Sequence, residues 1–437
     1  MSTGLMAEEV SMQSEVITAQ KSSKAPESSW TFTDTNWSLS IFGAAVGAGI
    51  LFLPINAGIG GIWPLILLSI LLTPLTLITH RSVLRFCLAA KNPASDFNEA
   101  ANEHFGKTRG LWVTFAYFAF IFPIVMAYSI GLTNTVESLI GNQLNLPVPD
   151  RWLLSLVLML VLVGIVTCGE KMILKVTAAL VYPLGAILMA ISIYLVPQWN
   201  LNQFSQPVTA EGFTKGFLST LPILVFALAY IPVCSAMAQS YRCKIKNPEQ
   251  LRKKTELITA RGTGLLMVLT LFFTFSCVLT LSPEVLMQAK QDNISVMTLF
   301  SLQSSNPWFS AVTSIVGITA ISSSFLGYYL GAREGLSGLI RQAYTRSGKG
   351  APQKSHLNRA INIFYILSLW LVGYLNLGVI DIMGTIAAPL MAVILYLMPV
   401  YAARKTEALK PYRSKIDVLT ATVGVVCIGS YIIAAAM

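Results

Sequence analysis

Eleven apolar runs, each close to the length of one bilayer crossing, dominate this 437-residue chain. A membrane-spanning helix needs roughly 20 consecutive apolar residues. Runs near that length cover about 37–57, 62–84, 111–139, 152–168, 171–196, 216–240, 256–282, 307–337, 357–377, 380–403 and 417–436. Lipid offers the backbone no hydrogen-bond partner, so runs this long must satisfy their own amides as helices. The pattern predicts an all-α polytopic membrane protein of about 11 transmembrane helices. Its membrane domain spans 37–437, and residues 1–36 form a tail. Runs 111–139 and 307–337 exceed one crossing and predict tilt or extension beyond the bilayer.

The rest of the composition fits that class. Charged residues make up only 11% of the chain, against about 25% in a soluble protein. The tail is polar, rich in Ser, Thr, Glu and Gln, and is expected to be disordered and cytoplasmic; no signal peptide is evident. The six cysteines form no CxxC pair and read as small apolar filler. His80, His104 and His356 fall at helix ends or in loops and are expected to be solvated, with no metal site. Asp96, Glu99 and Glu103 read as a solvated face, and Arg333 and Glu334 as the inner end of run 8.

Basic residues fix the expected orientation. With the tail inside, 27 of the 30 lysines and arginines fall in inside segments, and only Arg151, Lys215 and Lys290 fall outside. Positive charge is retained on the cytoplasmic side of short loops, so the net charge of +10 records topology rather than nucleic-acid binding. One miscounted run would invert every later loop and destroy the split. The expected topology in a bacterial inner membrane is N-terminus cytoplasmic and C-terminus periplasmic.

Two runs carry helix-breaking residues. Run 1 contains Gly43, Gly47 and Gly49, followed by Pro54. Glycines weaken a helix and expose its backbone, and exposed backbone survives in a membrane only where it lines a polar cavity. Small residues spaced by four also serve close helix packing. Run 6 contains Pro222 and Pro232, and Pro232 leaves the Leu228 carbonyl without its helical donor. The two runs lie five apart, so they cross in opposite directions. Interruptions at matching places in two inverted halves point to a transporter's substrate site.

Four stretches carry a family resemblance: GAAVGAGILFLPINAG over 43–58, Glu103-His104 followed by Phe105-Gly106-Lys107, GLTNTVES over 131–138, and GYYLGAREG over 327–335. Through them the chain resembles bacterial serine/threonine permeases of the hydroxy and aromatic amino acid permease family. It is similar to the wider amino acid–polyamine–organocation superfamily. The resemblance implies a 5+5 inverted repeat with broken helices 1 and 6, here about 37–196 and 216–403, plus an extra C-terminal helix over 417–436. It also implies proton-coupled uptake of a small amino acid. Where such permeases typically carry Asn-His-Ser-Pro in helix 6, this chain reads Ala229-Tyr230-Ile231-Pro232. Where they carry Lys-Ser-Phe and Gly-His in helix 8, it reads Ser323-Ser324-Phe325 and Gly327-Tyr328. The departures leave the amino acid and the coupled ion open.

A zwitterion sets the expected roles. Its carboxylate suits the amides of a half-helix start, where the helix dipole is positive: Ala45, Val46, Gly47, Ala48 and Gly49. Its ammonium suits freed carbonyls over Phe226, Ala227, Leu228 and Ala229. The Tyr128 hydroxyl is placed on the carboxylate, Phe226 and Tyr230 as caps on the pocket, and Glu137 near the outer vestibule. For the ion, Lys175 is the candidate proton carrier, since burial shifts a lysine readily. Ser323 and Ser324 are the candidate sodium ligands, because sodium-coupled relatives of the superfamily use adjacent hydroxyls there. The coupling ion is H+, alternatively Na+, with no further cofactor, no nucleic acid and no obligate protein partner expected. A channel would need a filter or pore ring, and an intramembrane enzyme paired carboxylates or metal ligands; the runs carry neither.

Overall fold

The computed structural model describes residues 29–168, 170–348, 350 and 352–436, without the side chains of 170–175, 177, 178, 354, 431, 432 and 434–436. The tail expectation for residues 1–28 lies outside the described residues. The first helix, α1 (Phe32–Ala45), begins five residues before the apolar run because Thr31 and Asp34 form a capping box. The Asp34 carboxylate accepts the Thr31 amide at 2.6 Å and its hydroxyl at 2.8 Å. Such a box satisfies amides that a helix start otherwise leaves orphaned.

All eleven runs are helical. After α1 come α2 (Ala48–Gly60), α3 (Ile62–Leu88), α4 (Phe97–Ser138), α5 (Arg151–Thr167) and α6 (Glu170–Leu195). The second half holds α7 (Ala210–Ala227), α8 (Ile231–Arg242), α9 (Pro248–Thr280), the short α10 (Pro283–Gln291) and α11 (Val296–Gln303), α12 (Pro307–Arg346), α13 (Lys354–Leu375) and α14 (Val379–Lys405). Helix α15 (Ile416–Ala436) follows. By length and composition seven of the described helices can cross a membrane, or eight if the bent pair α1–α2 is one span. Helix α5 and the Ile416–Ser430 part of α15 are shorter apolar helices. The expected eleven runs are therefore present, while eight meet that measure of a crossing.

The two halves repeat the same order of long helices, with the short α10 and α11 added in the second. Each opens with a broken pair, α1–α2 and then α7–α8. Helices of 27, 42 and 17 residues follow in the first half, and of 33, 40 and 22 in the second. The half-helices then pair across the repeat. At one end α2 meets α7 so closely that a Cβ at Gly216 would lie 2.0 Å from the Gly60 carbonyl oxygen, and Asn56 donates to the Ser219 carbonyl at 2.7 Å. At the other end α1 meets α8, where the Tyr241 hydroxyl donates to Asp34.

The loops that the basic residues assign to one side do meet at one end. There Arg85 bonds Glu256 at 2.8 Å, Arg242 donates to the carbonyls of Ala90, Asn92 and Ser95, and Arg346 donates to the Lys107 carbonyl at 3.0 Å. Glu103 is exposed, as a solvated face requires, and it also accepts from the Lys91 amide at 2.6 Å and the Ser95 hydroxyl at 2.7 Å. Glu334 is not a helix end: α12 runs on to Arg346, and Glu334 accepts the Phe97 amide at 3.2 Å.

Candidate functional site

The break in run 1 falls at Val46 and Gly47, with a bend of 51° between α1 and α2. Val46 still donates to the Phe42 carbonyl at 2.8 Å, and Gly47 folds back onto the Ala45 carbonyl at 3.0 Å. Helix α2 then starts with no side-chain cap, which leaves first-turn amides at Ala48 and Gly49 without an intrahelical acceptor. Gly47 is required by close approach. A Cβ there would lie 2.4 Å from the Ser324 side chain and 3.3 Å from Tyr128 Cε1.

The break in run 6 spans Leu228 to Tyr230, between α7 and α8. Leu228 donates to the Leu224 carbonyl at 3.2 Å and Ala229 to the Phe226 carbonyl at 3.2 Å. The Ala229 carbonyl accepts the Tyr328 hydroxyl of α12 at 2.8 Å. Pro232 is the second residue of α8 and, lacking an N–H, cannot serve the Leu228 carbonyl.

The structure brings the two breaks together. A Cβ at Gly49 would lie 2.9 Å from both the Ala227 Cα and the Phe226 ring. Tyr128 on α4 and Ser324 on α12 close over Gly47, and Tyr128 packs edge-on to Tyr328 with 5.8 Å between ring centroids. Ser324 donates to the Gly43 carbonyl at the end of α1 at 3.1 Å. Ala45, Val46, Gly47, Ala48, Gly49, Tyr128, Phe226, Ala227, Leu228 and Ala229 thus form one fully buried group.

Two candidates are placed differently, and a third cannot be placed. Tyr230 stacks on His80 of α3 at 3.7 Å and shares a 2.6 Å hydrogen bond with Thr263 of α9. Ser323 bonds back to the Ala320 carbonyl of its own helix at 3.0 Å, unlike Ser324. The Lys175 side chain lies outside the described residues. Glu137 pairs with Arg151, which also donates to the Gly373 carbonyl at 3.0 Å, so it clamps α4 to α5 and α13.

His80 corrects the sequence reading. It is not solvated but fully buried, because α3 continues eight residues past it and α8 covers it. His80 Nε2 accepts the Tyr230 amide at 3.1 Å and Nδ1 donates to the Thr76 carbonyl at 2.8 Å. A backbone carbonyl only accepts and an amide only donates, so these assignments follow from the partners. Its place at a predicted helix end hid it. His104 is half-buried against the Phe86 carbonyl at 3.0 Å, and His356 is exposed. Asp34 was also missed inside the expected tail. It is 1% exposed, pairs with Lys254 at 2.6 Å and accepts from Tyr241. The Thr-x-x-Asp pattern before an apolar run is the signal that finds it.

Paired half-helix breaks buried at the centre of two repeated halves define a polytopic membrane transporter. Residues 36–435 match the tryptophan/tyrosine permease family, and the chain belongs to it. It is 38% identical over 420 residues to the serine transporter SdaC of Escherichia coli K12, across 94% of this chain and 97% of that one. The fold is shared with MhsT solved with L-phenylalanine, at a TM-score of 0.59 and 15% identity over 92% of this chain and 97% of that one. A manganese transporter of Eremococcus coleocola shares it at 0.57 and 12%, over 92% and 87%. The chain is therefore an amino-acid permease of the membrane, as its resemblance implied.

Proposed function

We propose that this permease imports a small, serine-like amino acid across the bacterial inner membrane by proton symport with alternating access. The observation that carries the reading is the contact between the two breaks at Gly49, Phe226 and Ala227. It sets the uncapped amides of Ala48 and Gly49, which suit a carboxylate, beside a stretch whose Leu228 carbonyl lacks a helical donor and suits an ammonium. The Tyr128 ring packs on Gly47 and the Phe226 ring on Gly49, which supports contacts of both with a substrate bound at these amides. The serine preference rests on the SdaC relative. The 27-to-3 split of basic residues supports a cytoplasmic N-terminus and a periplasmic C-terminus.

A second reading, sodium coupling, is favoured by one observation: Ser324 Oγ and the Gly43 carbonyl lie 3.1 Å apart, two oxygens of the kind a hard cation takes. The test is uptake of labelled L-serine into proteoliposomes under an imposed pH gradient or an imposed sodium gradient, never both. Saturable counterflow with accumulation by the acid gradient alone is the expected result. Accumulation by sodium at equal pH, absent with the proton gradient, transfers the assignment to Ser324. Passive ion current without saturable counterflow refutes the transporter reading.

A further inference from the structure

We propose that His80 is a proton-binding site whose occupancy is tied to the shape of the second helix break. The proposal rests on the proton-symport reading above and assigns its proton to a residue. His80 is 0% exposed, and both ring nitrogens are engaged. The Thr76 carbonyl takes the Nδ1 hydrogen at 2.8 Å, and the Nε2 lone pair takes the Tyr230 amide at 3.1 Å. These two bonds define one neutral tautomer. The only lone pair that can take a proton is the one holding the Tyr230 amide.

That amide belongs to the unwound stretch itself. Tyr230 is the cap residue of α8, with φ −142° and ψ 34°, and its ring lies flat on the imidazole at 3.7 Å and 15°. When hydronium transfers a proton to Nε2, its O–H bond breaks and leaves water, a new N–H bond forms and the ring becomes an imidazolium with two donors. The Tyr230 amide then faces a donor instead of an acceptor. Proton binding and the present geometry of the break exclude one another, so a proton enters only as Leu228 to Tyr230 rearranges. This is linkage: a proton that favours the substrate-binding form of the break is in turn held more tightly by bound substrate.

The surroundings isolate the exchange. From α8 the titratable groups are Tyr230, whose hydroxyl is bonded to Thr263, and Cys234, whose thiol donates to the His80 carbonyl at 3.7 Å. On α3 itself Arg81 follows, donating to the Glu256 carbonyl of α9 at 3.4 Å, and the Glu256 carboxylate is held by Arg85. From α12, Tyr328 is held by the Ala229 carbonyl. None of these side chains bonds either His80 ring nitrogen.

The decisive variant is His80→Gln, which keeps an acceptor for the Tyr230 amide and cannot titrate. In proteoliposomes, one pH unit of inward acid gradient supports about tenfold accumulation for one proton per substrate. Wild type is expected to approach that with L-serine. His80→Gln is expected to keep L-serine counterflow at equal pH, to lose accumulation, and to bind L-serine with an affinity that no longer rises on acidification. Accumulation by His80→Gln at the wild-type level overturns the proposal alone. Wild-type counterflow without acid-driven accumulation overturns the symport reading and the proposal together. The wild-type chain gives a check independent of folding of the variant and of the substrate. It has three histidines, so 15N-histidine spectra in liposomes separate His80 once His104→Gln and His356→Gln assign the other two. A neutral Nδ1–H ring at about pH 8 that gains a second N–H on acidification supports the assignment. A His80 signal that stays neutral throughout overturns it.

Discussion

Between Ala45 and Ala48 the chain bends on small side chains, whereas between Ala227 and Ile231 it is held by polar contacts from three neighbouring helices. The first break receives one side-chain bond, from Ser324 to the Gly43 carbonyl, and otherwise keeps its shape because Gly47 and Gly49 let α12, α4 and α7 approach. The second is tied to α3 through His80, to α12 through Tyr328 and to α9 through Tyr230 and Thr263. One break offers bare backbone to a ligand; the other is an anchored strap that moves only when a polar bond is exchanged. Variants at the first should act through volume, and variants at the second through hydrogen bonds.

The largest effect is expected at Gly47. Gly47→Leu puts side-chain atoms where the Ser324 side chain already lies 2.4 Å from a mere Cβ and covers the α2 amides. Overpacking costs about 1–3 kcal/mol of stability, which a protein of this size survives, but L-serine binding should vanish. Unchanged affinity would show that the glycines serve packing only. A milder pair sharpens the point: Gly47→Ala should impair binding, and adding Ser324→Gly should restore part of it by removing the obstructing side chain.

Next is the tie between half-helices at the basic end. Asp34 is 1% exposed and Lys254 pairs with it at 2.6 Å. Leaving one member of a buried pair uncompensated costs about 3–5 kcal/mol. Asp34→Ala should lower the unfolding temperature clearly, and Asp34→Ala with Lys254→Ala should lower it by less than the two single variants combined. Strict additivity would mean that the pair contributes nothing to holding α1 against α8.

Bilayer physics made most of the fold legible from sequence. Eleven runs became helices, and the offset of five between the interrupted runs appears as contact between Gly49 and Ala227. Segment ends were less legible. The capping box at Thr31 and Asp34 extends α1 into what reads as polar tail, and burial of His80 comes from α8 folding over α3, a long-range contact that no local pattern encodes. Side-chain direction was equally hidden. Tyr230 directly follows the proposed contact residue Ala229 in sequence, yet its side chain packs onto His80 and Thr263. Adjacent Ser323 and Ser324 differ because neighbours on a helix point about 100° apart.

At the anchored break a single hydrogen bond should show a smaller, graded cost. Tyr328→Phe removes the donor to the Ala229 carbonyl with little change in shape. An unsatisfied buried carbonyl costs about 1–3 kcal/mol, so L-serine affinity or stability should fall by roughly tenfold or more in equilibrium terms. A variant indistinguishable from wild type would place the Tyr328 bond outside the parts that hold the break.

The smallest effects separate the two serines. Ser324 reaches across to the Gly43 carbonyl of α1, whereas Ser323 bonds the Ala320 carbonyl one turn back on its own helix. A local bond of the second kind adds little to a helix already satisfied by its backbone, so Ser323→Ala should change stability by less than about 0.5 kcal/mol and leave uptake intact. Ser324→Ala removes the one polar side-chain tie to the first break and should cost about 1 kcal/mol, read as a modest fall in unfolding temperature. Under proton coupling neither change alters the ion requirement, and uptake in both variants stays indifferent to sodium. Under sodium coupling Ser324→Ala raises the sodium concentration needed for half-maximal uptake, because one of two oxygens beside the break is gone, while Ser323→Ala does so far less. Equal sodium shifts in both variants would mean that Ser323 turns to the first break when the ion binds, and that the contrast between a volume-set and a bond-set break holds only for the arrangement described.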